Sequence, residues 1–407
     1  LTIQKSLNAV IDQYLDRYAE PEAQWCNLIQ QPAIVCNKIY RQVLVIPAYA
    51  EAENFLSQVI QHCRSEEVLS IVVVNAPKSE ARFQADSNLL EKTQRLLVAL
   101  QHTDATPLLT IDRASQGKRI PHAQGVGLAR KIGTDIALRL HQQGRVTSPW
   151  LYQTDADARL PKTYFQAIDK ACLGPGTVIF THKHVSEDEL TTKAALLYDA
   201  HMRYYVDALA AQGSSYAYPT LGSTIAVHAQ NYAQVRGYPK RNAGEDFHLL
   251  NKLNKLSPVQ RLEQPTVEVQ ARLSSRVTFG TGPALQKIVE QLALDPSGES
   301  YLSYDYRCFE LLGHALNYLR NCGKGLRQPH SGAASNSQRQ QLEHILQQLG
   351  VDKIINPNLY KQPSEIQRQK LLNEWFDALK TLRFIHLAAK HYPNQSLLKT
   401  LQSLPAA

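Results

Sequence analysis

Gln42-Val-Leu-Val-Ile-Pro-Ala-Tyr-Ala-Glu51 sets the fold class of this chain. Val43, Leu44, Val45 and Ile46 form an unbroken apolar run with no polar alternation. Such a run suits a strand covered on both faces, as in a parallel sheet, rather than one with a wet side. Runs of the same texture recur at Ile71-Val-Val-Val74, Leu108-Leu-Thr-Ile111, Trp150-Leu-Tyr152 and Thr177-Val-Ile-Phe180. Longer amphipathic stretches separate them and suit crossover helices. The best marked precedes the fourth run: Val126, Ala129, Ile132, Ile136, Ala137 and Leu140 share one face, with Arg130, Lys131, Asp135 and Arg139 mostly off it. This alternation predicts an α/β domain with a mostly parallel, Rossmann-like sheet flanked by helices.

Outward from that core, Ile3, Leu7, Val10, Ile11 and Leu15 recur at helical spacing, so residues 1–40 read as an N-terminal helical segment. Strand-like runs stop near residue 285. Residues 301–320, 337–349 and 364–391 carry helical periodicity, with Pro363-Ser364-Glu365 as a helix start and an exposed Gly/Ser/Pro-rich loop after Gly323. The expected organisation is a helical segment over 1–40, the α/β domain over 41–285 and a helical C-terminal region over 286–407.

Composition bounds the function. The 407 residues hold 44 Lys+Arg against 36 Asp+Glu, a net charge of +8 that favours anionic partners. The basic residues are spread, without the stripe and interleaved aromatics of a nucleic-acid binder. No segment reaches the roughly 20 apolar residues of a membrane span. The first twenty residues carry spaced charges and no apolar block, so a secretory signal is not expected. Six cysteines (26, 36, 63, 172, 308 and 322) show no CxxC pair, which fits free thiols in a reducing cytoplasm.

In an open parallel sheet, ligands bind beyond the carboxyl ends of the strands. Residues following each run are therefore the first candidates: Pro47, Ala48, Tyr49 and Glu51, then Asn75, then Asp155-Ala-Asp157. Two carboxylates two residues apart repel each other unless a cation or hydrogen-bond donors compensate, and Mg²⁺ or Mn²⁺ prefers such oxygen ligands. A turn using Asp for local hydrogen bonds is the plainer account. Glu245-Asp246 is a second acidic pair; it either favours a helix N-terminus or supplies a general base. Gly125-Val-Gly127-Leu-Ala-Arg130 is not a dinucleotide fingerprint, because arginine holds the third glycine position and the first strand lies far upstream.

In order, these pieces resemble the family 2 glycosyltransferases of GT-A fold, in an unusual soluble bacterial branch. Val43 to Glu51 is similar to the family's V-x-V-I-I-P-x-Y-N-E, and GVGLARKIGTDIA (125–137) to G-x-x-x-A-R-N-x-G. Asp155-Ala-Asp157 with Leu160-Pro161 resembles D-A-D-x-x-x-P. Leu221-Gly-Ser-Thr-Ile-Ala226, Tyr232, Arg236-Gly-Tyr238 and Gly244-Glu-Asp246 follow the family's later segments. The resemblance covers about residues 41–260. It implies a divalent-metal-dependent, inverting transfer of a sugar from a nucleotide-sugar donor to an acceptor hydroxyl.

By the same resemblance Asp157 ligates the metal, with Asp155 on the ion's shell or the ribose. Asp246 is the base, with Glu245 as alternative, and Pro47, Ala48, Tyr49 and Glu51 border the nucleoside. Arg130 fixes the Asp155 loop or the nucleotide. Three departures stand out. The second strand ends in Asn75-Ala-Pro-Lys78 instead of D-D-G-S, Ala50 replaces the usual Asn, and no R-W element is evident. Arg276, in the Gly-rich stretch 274–282, is a candidate lid over the pyrophosphate, or part of a plain loop. His182, His184, His228 and His248 are candidate third ligands. Tyr198, His201, Arg203, Tyr204 and Tyr205 are acceptor-side candidates with a core reading beside it. Two other functions compete: a nucleotidyltransferase, which would want a Gly-rich phosphate loop after the first strand, and a non-catalytic nucleotide-sugar-binding module. Acceptor classes include a saccharide, a small molecule or a lipid-linked group, since a basic protein can sit peripherally on an anionic membrane.

Overall fold

The computed structural model describes residues 2–24, 38–65, 67–81, 83–103, 107–171, 173–273, 280–326 and 335–402. The chain forms two compact units, Leu1–Glu187 with Thr220–Pro283, and Asp188–Pro219 with Ala284–Ala407.

An eight-stranded sheet organises the first unit. Its strands are β1 (Gln42–Ala48), β2 (Val68–Asn75), β3 (Leu108–Arg113), β4 (Trp150–Gln153), β5 (Ala158–Arg159), β6 (Thr177–Val185), β7 (Ile225–His228) and β8 (Gln260–Gln270). They lie in the order β3-β2-β1-β4-β7-β6-β8-β5. The first four are mutually parallel, with Val45 opposite Ile71 and also opposite Gln153. Beyond β4 the direction alternates: β7 is antiparallel to both β4 and β6, β6 and β8 are parallel, and β5 is antiparallel to β8. Every residue of β1, β2 and β4 is buried, as runs covered on both faces require. Each fully covered Val, Leu or Ile contributes about 1.5–3 kcal/mol. Ile46, Val72, Val74, Leu96 and Phe180 sit within one apolar cluster.

Helix Gly125–Gln142 carries the chain from β3 back past β1 to β4. Strand order reverses at that crossing, so the crevice at the carboxyl ends of β1 and β4 is the natural ligand site. The helix is covered on both sides. Its apolar face meets the sheet, where a Cβ at Gly133 would fall 2.5 Å from Val45. At its start, the Gly127 N–H donates to Arg241 O at 2.9 Å, and a Cβ at 127 would lie within 2.7 Å of the 239–241 backbone. These glycines serve backbone packing. The charges expected off the apolar face are buried too, with Arg130, Lys131 and Asp135 at 2%, 5% and 0% exposure.

Lys131 and Asp135 are paired in a closed network. Asp135 accepts from the Tyr14 and Tyr232 hydroxyls, from the Glu20 N–H and from Lys131 Nζ at 2.5–2.9 Å. Tyr14 belongs to helix Thr2–Arg17, so this network fastens the N-terminal helix to the α/β core. Residues 25–37 of the expected segment lie outside the described residues.

Helices Glu189–Ala211, Tyr306–Gly323, Asn336–Gln348, Glu365–Trp375 and Ala378–Ala388 build the second unit around Tyr204, Phe309, Leu312, Leu346, Leu372 and Phe384. Two-residue strands β9 (Leu302–Ser303) and β10 (Gln395–Ser396) pair antiparallel. Ser364 caps its helix through Gln367 N, as its sequence position suggests. The continuous helix expected over 364–391 instead breaks at Phe376-Asp377, where Asp377 caps a new helix through Lys380 N. Segment 188–219, expected within the α/β domain, groups with the C-terminal helices, and 1–24 groups with the sheet.

Candidate active site

Asp155 and Asp157 follow β4 directly, and Glu51 follows β1. Backbone bonds fix the acidic loop: Thr154 N donates to Val45 O at 3.1 Å, Ala158 N to Asp155 O at 3.2 Å, and Gln270 N to Asp157 O at 2.8 Å. Glu245 and Asp246 open helix Glu245–Asn254, where the positive end of the helix favours anions.

Arg130 joins the two acidic pairs. Its Nε donates to Glu245 Oε1 at 2.8 Å, one terminal nitrogen to Thr154 O at 3.4 Å, and the other binds Asp155 Oδ1. Burial works against this charge, yet Asp155 and Glu245 outweigh it and raise the guanidinium pKa. Gly222 makes room for the arginine. A Cβ there would fall 2.2 Å from an Arg130 terminal nitrogen, so only glycine lets the chain approach so closely. Arg130 is therefore a buried clamp between Asp155 and Glu245.

Arg272 forms a second clamp. Two residues past β8, it pairs with Glu51 Oε2, and its Nε lies 3.7 Å from Asp157 Oδ2. Its position follows from register: β5 pairs with β8 so that Ala158 faces Val269, which carries the end of β8 alongside Asp157. Sequence reading missed Arg272 and chose Arg276, which lies outside the described residues. The alternating stretch Val267-Glu-Val269 announces β8, but β5, the partner strand that brings it beside Asp157, is only two residues long. Glu51, expected beside the nucleoside, is held 8% exposed by Arg272.

The carboxylates differ in state. Burial, then repulsion from Asp155, push the Asp157 carboxyl up to about 6, with Glu51 adding and Arg272 opposing. Burial, then neighbouring Glu245, push Asp246 up to about 7, against the Phe247 N–H and Arg130. Among the described residues, Arg130 pairs with Asp155 and Glu245, and Arg272 with Glu51 and, more distantly, Asp157, while Asp246 accepts from the Phe247 N–H. That acidic excess, all oxygen donors, suits a hard divalent cation. Among the described residues, no third His, Cys, Asp or Glu closes a tight cluster around Asp155 and Asp157.

Asn75 has a structural use: its amide donates to Ala48 O and Val73 O, each at 3.2 Å, tying the ends of β1 and β2. Pro47 and Ala48 are buried in β1, and Tyr49 packs against the core cluster. His228 caps helix Ala229–Gln234 and meets Trp150 edge-on, at the opposite end of β4 from Asp155; burial and then His141 lower it to about 4. His182 and His184 lie on β6 with rings 5.5 Å apart, and His248 lies on the Glu245 helix. In the second unit, Tyr204 and Tyr205 pack in the helical core, and His201 Nδ1 lies 2.9 Å from Ser303 Oγ.

No protein-family model matches the chain, and no curated protein matches it. Solved glycosyltransferases of the GT-A type are similar to it. S. aureus TarS in complex with UDP-GlcNAc has 11% identity, covering 86% of this chain and 91% of that one, at a TM-score of 0.39. The mannosyltransferase PcManGT from Pyrobaculum calidifontis, with GDP-Man and Mn²⁺, has 16% identity, covering 94% and 98%, at 0.34. Glucosyl-3-phosphoglycerate synthase from Mycobacterium tuberculosis, with Mn²⁺ and UDP-Glc, has 12% identity, covering 67% and 85%, at 0.33.

Proposed function

We propose that the chain is a family 2-type glycosyltransferase that moves a sugar from a nucleotide-sugar donor to an acceptor hydroxyl, with inversion at the anomeric carbon. One observation carries this reading: Arg130 joins Asp155 at the end of β4 to Glu245 at the start of the next acidic helix, so the two acidic motifs share one crevice. Asp157, with Asp155 beside it, would hold a divalent cation, Mg²⁺ or Mn²⁺, which when bound neutralises charge on a departing diphosphate.

The chain's own groups divide the remaining work. Glu245 is committed to Arg130 and positions it. Asp246, less buried and pushed up to about 7, is the base that takes the acceptor proton. A pKa near neutrality suits a general base. Tyr49 and Glu51 border the donor at the end of β1. The nucleotidyltransferase reading finds no Gly-rich phosphate loop there. Among the described residues, no helix is long and apolar enough to cross a membrane.

Asp246→Asn tests the reading. It should keep donor affinity and lose about 10²–10⁴-fold in transfer. Transfer at the wild-type rate would hand the base role to Glu245 or remove it from this pair.

A further inference from the structure

The two arginines of the site differ in a way that assigns them different jobs. Arg130 is 3% exposed in its side chain and binds three acceptors, in a space kept open by Gly222. Arg272 is 32% exposed and, among the described residues, pairs with the side chains of Glu51 and, at 3.7 Å, Asp157. One is built into the fold, while the other reaches in from the end of β8 toward the carboxylate assigned above to the cation.

Resting on the metal reading of that site, we propose that Arg272 is its resident counter-ion: its guanidinium neutralises Glu51 and Asp157 until a divalent cation takes Asp157. The two cations cannot share Asp157 without repulsion, so binding of the metal releases the arginine from Asp157 while Glu51 keeps it nearby. Freed on that side, its fork faces the anionic donor group brought in with the metal, a geometry suited to phosphate oxygens. Cation and donor binding are thereby coupled through one side chain.

The experiment is a titration of Mn²⁺ alone, without nucleotide, followed by electron paramagnetic resonance of the unbound ion. Wild type, Arg272→Gln, Arg272→Lys and Asp157→Asn are compared, each checked for a native circular dichroism spectrum and cooperative unfolding. Removing the competing charge should tighten Mn²⁺ binding by about two- to fivefold in Arg272→Gln, the scale of a partly exposed ion pair. Arg272→Lys should return toward wild type, and Asp157→Asn should lose the site. A second titration, of UDP and GDP at saturating Mn²⁺, should show weaker binding in Arg272→Gln for whichever nucleotide wild type prefers. Asp157-dependent Mn²⁺ uptake that is equal or weaker in Arg272→Gln would overturn the counter-ion role alone. No uptake by any of the four proteins would overturn the metal reading and this inference with it.

Discussion

At the residue scale, the site stores unfavourable charge. In the folded protein Asp157 and Asp246 titrate near 6 and 7, well above the ordinary value of 3.8. Between those limits the folded state binds protons that the unfolded state has released, so these two groups contribute less stability as pH rises from about 4 to 7. Asp246→Asn removes one of them while keeping an acceptor for the Phe247 N–H. The variant should melt above wild type at pH 8, and the difference should vanish toward pH 4 in thermal scans. In wild type, transfer should fall about tenfold per pH unit below 7, because the base must be ionised. Gly222 shows the opposite economy, since its missing side chain is what seats Arg130. Gly222→Ala should lower stability by about 1–3 kcal/mol in denaturant titration, the usual cost of forcing atoms into a packed site.

At the element scale, helix Gly125–Gln142 is the keystone, because it carries Arg130 to the site and Lys131 and Asp135 to the N-terminal helix. Lys131→Met leaves Asp135 buried without its cation and should cost about 3–5 kcal/mol. Adding Asp135→Asn, which still accepts from Tyr14 and Tyr232, should recover much of that loss in the same denaturant assay. Periodicity located this helix and its apolar face but not the fate of its charges. A helix covered on both sides looks like a surface helix when its second cover is a distant segment such as Tyr14. Strands β1 to β4 were legible because continuous apolar runs admit few other environments. The acidic motifs were legible because each ends or begins an element. Arg272 was not, since its meeting with Asp157 depends on the register of β5 against β8. Ala50 was read only as a departure from a usual Asn; its φ of 54° is left-handed backbone, which Asn tolerates better than Ala.

At the scale of the whole molecule, two units with separate apolar clusters divide the labour, and the acidic motifs all belong to the first. Among the described residues, Glu51, Asp155, Asp157, Glu245 and Asp246 gather around Arg130 and Arg272 in that unit, an acidic group within a chain whose net charge is +8. Under the proposed function, an anionic donor would enter this crevice together with a divalent cation. The direct test is a thermal-shift panel of UDP-, GDP-, dTDP- and CMP-sugars, each with and without Mn²⁺, on wild type and Asp157→Ala. A ligand at a hundred times its dissociation constant stabilises by about 2.7 kcal/mol, enough to read. The account predicts a shift with one nucleotide class that requires Mn²⁺ and disappears in Asp157→Ala. An equal shift without metal, or one that survives in Asp157→Ala, would contradict it.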